Sequence, residues 1–386
     1  VVLFAISPYQ IHQLNASGAD VDQNHYMFKQ TTYLAIGAAA FATAASVPFE
    51  WWRRYAARIL LAGIGACLIL ALLGLGSIPP AMCYNGACRW FDFGVTSFQP
   101  AELLKFGAVV FMAIFLGRRM QAGTLNTISE SLVPVGIVVG LTAVIVIGFQ
   151  KDMGTGITII APILTMLFVA GLNRRNSGLI IGGALLAGLL FIVISPHRLE
   201  RVTTFVNASG SSDAASYHID MAKLAIGSGG FFGRGLGNGV QAFGYLPEAL
   251  NDSIFAVLGE TFGFVGLLIV LGLFVALLRR MIAMIGNLID PTMQLLVAGV
   301  FGWLSTHVII NIGAMTGLLP LTGVTLPFLS FGGSSLLFIM ASLGMVYHIS
   351  QYTSHQQQPE RGQGHESTRS RGRFGRSRHA SSGSNK

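Results

Sequence analysis

The sequence predicts an all-α polytopic membrane protein with about ten transmembrane helices. Three observations carry this. Of the 386 residues, 52% are hydrophobic and only 10% are charged, whereas a soluble domain carries about 25% charged residues. Apolar runs of about 17–25 residues, the length that crosses a bilayer as a helix, recur along the chain. The arginines fall in short clusters in every second gap between those runs. The net charge of +8 is therefore a topology signal and not the footprint of a nucleic acid.

In order, the expected spans are residues 31–49, 57–77, 101–117, 131–149, 156–172, 178–195, 253–278, 293–312 and 332–349. Val1 to Pro8 reads as the end of a first span whose start is missing, which brings the count to ten. Arg53, Arg54 and Arg58 follow the second span, Arg118 and Arg119 the fourth, Arg174 and Arg175 the sixth, and Arg279 and Arg280 the eighth. Seven more Lys and Arg lie between Arg361 and Lys386. The positive-inside rule makes all five places cytoplasmic. Segments 9–30, 79–100, 150–155, 196–252 and 313–330 then face outward. The chain divides into a membrane domain, 1–350, and a basic cytoplasmic tail, 351–386. The tail is Gln, Ser, Gly and Arg, cannot bury a core and is expected to be disordered.

The outward segments hold the unusual residues. The longest, between spans seven and eight, carries Arg201, Arg234, Glu248 and Asp252, with Glu260 two turns into the next span. Carboxylates are costly in hydrocarbon, so each is a candidate for function. Asn251, Asp252 and Ser253 are equally good N-cap types, and capping alone could explain Asp252. Residues 225–240, AIGSGGFFGRGLGNGV, lack the GK[ST] ending of a phosphate loop and read as a re-entrant segment packed closely on helices. Cys83 and Cys88 share one outward segment, where a disulfide is permitted but not required. Arg89 follows them. Pro100 suits the first turn of a helix and sets Glu102 and Lys105 on one face, where they could simply pair with each other. Asp152, in a very short turn, could cap the helix after it. Residues 311–336 are too apolar for a solvated loop yet broken by Pro and Gly, as in backbone that lines a cavity. Together these segments predict an outward polar cavity floored by Glu102, Lys105, Asp152 and Asp252.

Five stretches in order, FQPAELLK, QKDMGT, AIGSGGFFGRGLGNGVQ, YLPEALNDSIFAVLGE and TGLLPLTGVTLPFLSFGGSS, resemble the motifs of the SEDS family (shape, elongation, division and sporulation; the FtsW/RodA type). The resemblance covers roughly residues 30–350. It implies a peptidoglycan glycosyltransferase that polymerises lipid II on the outer face of the cytoplasmic membrane, with a class B penicillin-binding protein and other divisome or elongation proteins as partners. Asp252 matches the essential Asp of the family's PE-x-x-x-D motif and Glu248 its Glu. Glu102 and Lys105 match the QPSE-x-x-K pair, Asp152 the Asp of QPD-x-GT, and Glu260 the Glu of GE-x-x-G. Lys151, where Pro is usual, departs from the pattern, as do His218, Met221, Ala222, Thr261 and Phe262. GYLPE, GVTLPF and the basic tail lean toward the division type, FtsW-like.

The implied chemistry suits these residues. A sugar hydroxyl attacks an anomeric carbon and expels a lipid diphosphate. A glycosidase needs a second carboxyl to protonate its leaving group. A diphosphate leaves without that help, so one base, Asp252, plus positive charge suffices. Lys105, Arg201 and Arg234, or a divalent cation (Mg or Mn) on acidic groups, would neutralise the diphosphate. The metal ligands cannot be named from sequence, and no organic cofactor is expected. Rival readings are a lipid II flippase, the rod-elongation paralogue and a scaffold. The outward clustering of charge, away from mid-depth, disfavours a transporter.

Overall fold

The computed structural model describes residues 7–16, 20–76, 78–84, 87–94, 96–193, 214–241 and 243–356. Helices α1 (Pro8–Ala16), α2 (His25–Ser46) and α3 (Phe49–Leu75) lead to short strands β1 (Ala81–Tyr84), β2 (Ala87–Asp92) and β3 (Ser97–Phe98). Then follow α4 (Pro100–Gln121), α5 (Ile128–Phe149, with a π turn at each end), α6 (Met153–Val169), α7 (Arg174–Val193) and α8 (Ala214–Ser228). The last are α9 (Ile254–Asn287), α10 (Pro291–Met315) and α11 (Gly333–Gln356). Each of the nine expected spans coincides with one of these helices. Among the described residues six, α3, α4, α5, α9, α10 and most of α11, are long and apolar enough to cross a bilayer. Residues 1–6 of the expected first span, and 357–386 of the expected tail, lie outside the described residues.

Helices α4 and α10 are buried along most of their length and form the centre. Helix α3 packs on α4, α6 packs on α10, and α2 lies along α11. Without a hydrophobic drive between helices in lipid, close packing depends on small residues at the contacts. Gly63 of α3 faces Leu104 of α4, and Gly107 faces Leu60. A Cβ on either glycine would fall 2.6 or 2.9 Å from the opposite Cα.

Contacts between loops sort the chain into two faces. Asn126 accepts from the amide of Asn173, and its carbonyl accepts from Asn176, so the α4–α5 and α6–α7 turns share one face. Arg53 pairs with Asp290 across the α2–α3 and α9–α10 turns. These are the gaps that hold the arginine clusters. On the opposite face the β-strands, the α5–α6 turn, the turn before α9 and the segment before α11 meet.

Four features depart from the expected loops and spans, the first being helix α1 (Pro8–Ala16), which occupies the start of the segment expected as a loop at 9–30. Residues 81–98 form an antiparallel sheet in which Cys83 and Cys88 stand opposite each other and are disulfide-bonded. The sequence Asn85-Gly86 is a hairpin signal that a search for span-length runs passes over. Helix α8 lies within the longest expected loop. The span expected at 253–278 is broken at Gly263 (φ 66°, ψ −163°), a conformation essentially confined to glycine. Residues 254–261 before the break are all buried, and the 24 residues 264–287 after it are about 36 Å long, enough to cross by themselves.

Candidate active site

The first wall of the site is the start of α4 and the turn beside it. The Gln99 amide N–H donates to Ser334 Oγ at 3.1 Å, and its Nε2 reaches Asp152 Oδ2 at 3.4 Å. Asp152 is the N-cap of α6. Its Oδ1 accepts from the Thr155 N–H and its Oδ2 from the Thr155 hydroxyl, both at 2.9 Å. Arg89 is turned onto this turn, donating to the carbonyls of Gln150 (3.2 Å) and Lys151 (2.8 Å). Gly154 brings the turn against the 311–336 segment, since a Cβ there would lie 2.5 Å from the Thr322 carbonyl.

One turn into α4, Glu102 and Lys105 are buried, with 4% and 1% exposure. Lys105 Nζ donates to Glu102 Oε1 at 2.9 Å and to His307 Nε2 at 3.3 Å, and it lies over the Trp303 ring. The same His307 nitrogen accepts from Trp303 Nε1 at 3.1 Å, so the ring is the neutral Nδ1–H form, donating to the Thr325 carbonyl at 3.0 Å. Sequence reasoning did not single out His307. The signal available was a His and an Asn four apart, one helical turn, in an otherwise apolar span.

The second wall is the turn before α9. Leu246, Ala249 and Leu250 are buried and anchor it. The Leu250 carbonyl accepts from the Phe331 N–H. Asp252 is 9% exposed. Its backbone carbonyl accepts from Asn311 Nδ2 at 2.7 Å, and the same Nδ2 reaches the Val324 carbonyl at 2.8 Å. The N-cap of α9 is Ser253, and its side chain makes no capping bond. Its hydroxyl donates to the Pro247 carbonyl at 2.8 Å and accepts from His218 Nε2 at 2.6 Å. Glu248 is exposed, at φ 49°, and accepts from Asn251 Nδ2.

The glycine-rich segment closes on the break in α9. The N–H groups of Arg234 and Gly235 donate to the carbonyls of Glu260 and Thr261, and those of Phe264 and Val265 to Gly230 and Phe231. The buried Glu260 carboxylate accepts from the N–H groups of Val240 (2.6 Å) and Gln241 (3.1 Å). Its role here is to hold that segment. Arg234 is exposed and donates from Nε to the Ser228 carbonyl. Arg201 lies outside the described residues. The structure thus joins Gln99, Asp152, Glu102 and Lys105 to the Asp252 turn through α10 and the segment at 322–331, while Glu260 and Arg234 belong to a separate cluster. Among the described residues no three His, Cys, Asp or Glu side chains group to hold a metal ion.

A family model described as "Cell cycle protein", covering FtsW, RodA and SpoVE, matches residues 2–355. The "Probable peptidoglycan glycosyltransferase FtsW" of Coxiella burnetii is 36% identical over 338 residues, 85% of this chain and 87% of that protein. "Stage V sporulation protein E" of Bacillus subtilis is 32% identical over 358 residues, covering 92% and 95%. A chain from a peptidoglycan synthase complex that coordinates polymerization and crosslinking superposes with a TM-score of 0.69 at 26% identity, covering 91% of this chain and 96% of that one. The rod shape determining protein RodA of Thermus thermophilus superposes with a TM-score of 0.61 at 24% identity, covering 93% and 96%, a likeness of fold.

Proposed function

The chain belongs to the cell cycle protein family of FtsW, RodA and SpoVE, and on that premise we propose how it acts, as a multi-pass membrane peptidoglycan glycosyltransferase that polymerises lipid II with Asp252 as base. The observation that carries the role of Asp252 is its place relative to its helix. Asp152 and Asp290 both accept N–H groups of the helices they precede, whereas α9 is capped at Ser253 and Asp252 stands one residue outside. Its turn is held from α10 by Asn311, from α8 by His218 and from the 322–331 segment. A base so placed takes the proton of the attacking sugar hydroxyl while the diphosphate departs.

Of the cations expected to neutralise the departing diphosphate, Arg234 sits with the separate Glu260 cluster and Lys105 is enclosed by Glu102, His307 and Trp303, so the role is assigned to Arg201. A divalent cation, Mg²⁺ or Mn²⁺, would supply the same charge and would need only one or two protein carboxylates rather than a dedicated cage. Glu248, exposed in the same turn, is the carboxylate that would help hold it, which leaves Asp252 as the base. Glu102, Asp152 and Arg89 shape the substrate side of the site by fixing the α4 start and the α5–α6 turn.

The arginine-bearing face is assigned to the cytoplasm and the site to the outer face of the cytoplasmic membrane. The partner is a class B penicillin-binding protein, in keeping with a relative of this fold that works in a polymerizing and crosslinking complex. Septal synthesis is favoured over elongation by the relatives named FtsW. Cysteine labels placed at Ser177 and Asn287 should react only from the cytoplasm and one at Ser211 only from outside; the reverse pattern overturns the orientation.

The deciding experiment is polymerisation of labelled lipid II by the purified protein, with and without a class B partner. Wild type should make glycan strands, and Asp252→Asn should not. An Asp252→Asn protein that polymerises at the wild-type rate removes Asp252 as base. Transbilayer movement of lipid II with no polymerisation by wild type would put a transporter in the enzyme's place.

A further inference from the structure

His307 and Asn311 stand one turn apart on α10 and bind consecutive carbonyls, Thr325 and Val324, of a segment that is neither helix nor strand. The Asn311 amide nitrogen also holds the carbonyl of Asp252. Its Oδ1 is buried and finds no partner among the described residues, an arrangement that is costly to keep and that places all of the side chain's bonding on Nδ2. The His307 ring is fixed from the other side, because Nε2 accepts from both Trp303 and Lys105. We propose that His307 is a positioning residue for glycosyl transfer, acting with Asn311 as a two-point clamp that registers the Asp252 turn, the 322–326 backbone and α4. The proposal rests on the reading of Asp252 as base. In it, Lys105 and Glu102 serve as the far anchor of the clamp through the imidazole.

The chemistry of the clamp is specific. It needs one acceptor toward Lys105 and Trp303 and one donor toward Thr325, both on one side chain. Neutral imidazole meets this with its two nitrogens, and the glutamine amide meets it with its oxygen and nitrogen. Leucine fills similar space and supplies neither. A base displaced by a fraction of an ångström still binds substrate but meets the reacting hydroxyl poorly, so the loss falls on turnover.

The test uses the full chain with its class B partner and two readouts, lipid II polymerisation and amide hydrogen exchange of residues 246–253 and 318–331. His307→Leu should lower kcat by about 10- to 100-fold with KM nearly unchanged, and should speed exchange in both segments. His307→Gln should restore most of kcat and of the protection. If His307→Leu does not fold, His307→Asn, polar but one methylene too short, takes its place with the same expectation. Wild-type exchange in the leucine variant shows that there is no clamp. Faster exchange with unchanged kcat shows a clamp that does not serve the reaction. A glutamine variant as poor as the leucine one points to direct chemistry by the imidazole. Each of these overturns the proposal. Failure of the Asp252 reading shows separately, as activity in Asp252→Asn, while exchange continues to report the clamp itself.

Discussion

The turns before α6 and α9 look alike as sequence and differ in structure. Each sets an aspartate at the start of an apolar helix in a polar break between spans. Asp152 directs both oxygens to its own helix, through the N–H and hydroxyl of Thr155. The turn before α9 is built the other way. Its cap position is Ser253, whose hydroxyl points back to Pro247 and receives His218. Its Asp252 is registered by a bond that reaches in from α10. The comparison teaches that a helix-start residue declares an aptitude for capping, and that where the helix begins decides which residue holds the cap position, Asp152 in one turn and Ser253 in the other.

The sharpest way to break this comparison is to make the same change in both turns. Asn caps almost as well as Asp, so Asp252→Asn and Asp152→Asn should both fold. Base catalysis is worth about 10²–10⁴-fold, and that loss is expected in lipid II polymerisation for Asp252→Asn alone. Equal loss in the two variants would erase the distinction. A second change tests what lies beneath both turns. Removing one partner of a buried ion pair costs about 3–5 kcal/mol, so Lys105→Met should lower thermal stability sharply in detergent. Glu102→Gln combined with Lys105→Met should recover part of it. No such recovery would mean that the pair is not a unit. For a third, Asp152→Ala should cost about 1 kcal/mol through the lost cap, seen as a small fall in melting temperature, with a partial loss of polymerisation as the α5–α6 turn loosens and no loss of the base. The smallest effect concerns the sheet beside the first turn. Alkylation of the native protein should modify neither Cys83 nor Cys88 until reductant is added, after which polymerisation should change little. Two free thiols without reductant would remove the disulfide.

Much of the fold was legible because bilayer thickness acts on the sequence directly. A helix that must cross hydrocarbon has to be apolar for about 20 residues, and this located α2 to α7 and α9 to α11. The alternation of arginine clusters sorted the loops into two faces, and the Asn126–Asn173 and Arg53–Asp290 contacts join arginine-bearing loops to one another. Glycines 229 and 233 were readable as places of close approach, and the structure sets them against the carbonyls of Gly259 and Thr261. The break at Gly263 was not readable, because its φ of 66° satisfies backbone bonds donated to and accepted from residues some thirty positions earlier. His307 was not readable either. Its weight comes from Lys105, Trp303 and Thr325, and one of these lies 202 residues away.

The sequence by itself determined that this is a multi-span membrane protein, which loops share a face, which polar residues stand near span ends, and the family to which those residues belong. These follow from local quantities: the apolar length of a segment, the charge of a loop, the residue types in a motif. Only the tertiary structure decided that Asp152 is the N-cap of its helix while Asp252 lies one residue before its cap, that Lys105 is enclosed with Glu102, and that His307 and Asn311 gather distant backbone. The reason is physical. A carboxylate, an ammonium or an imidazole takes its role from the donors and acceptors within about 3 Å, and packing brings these together from segments that no local pattern connects.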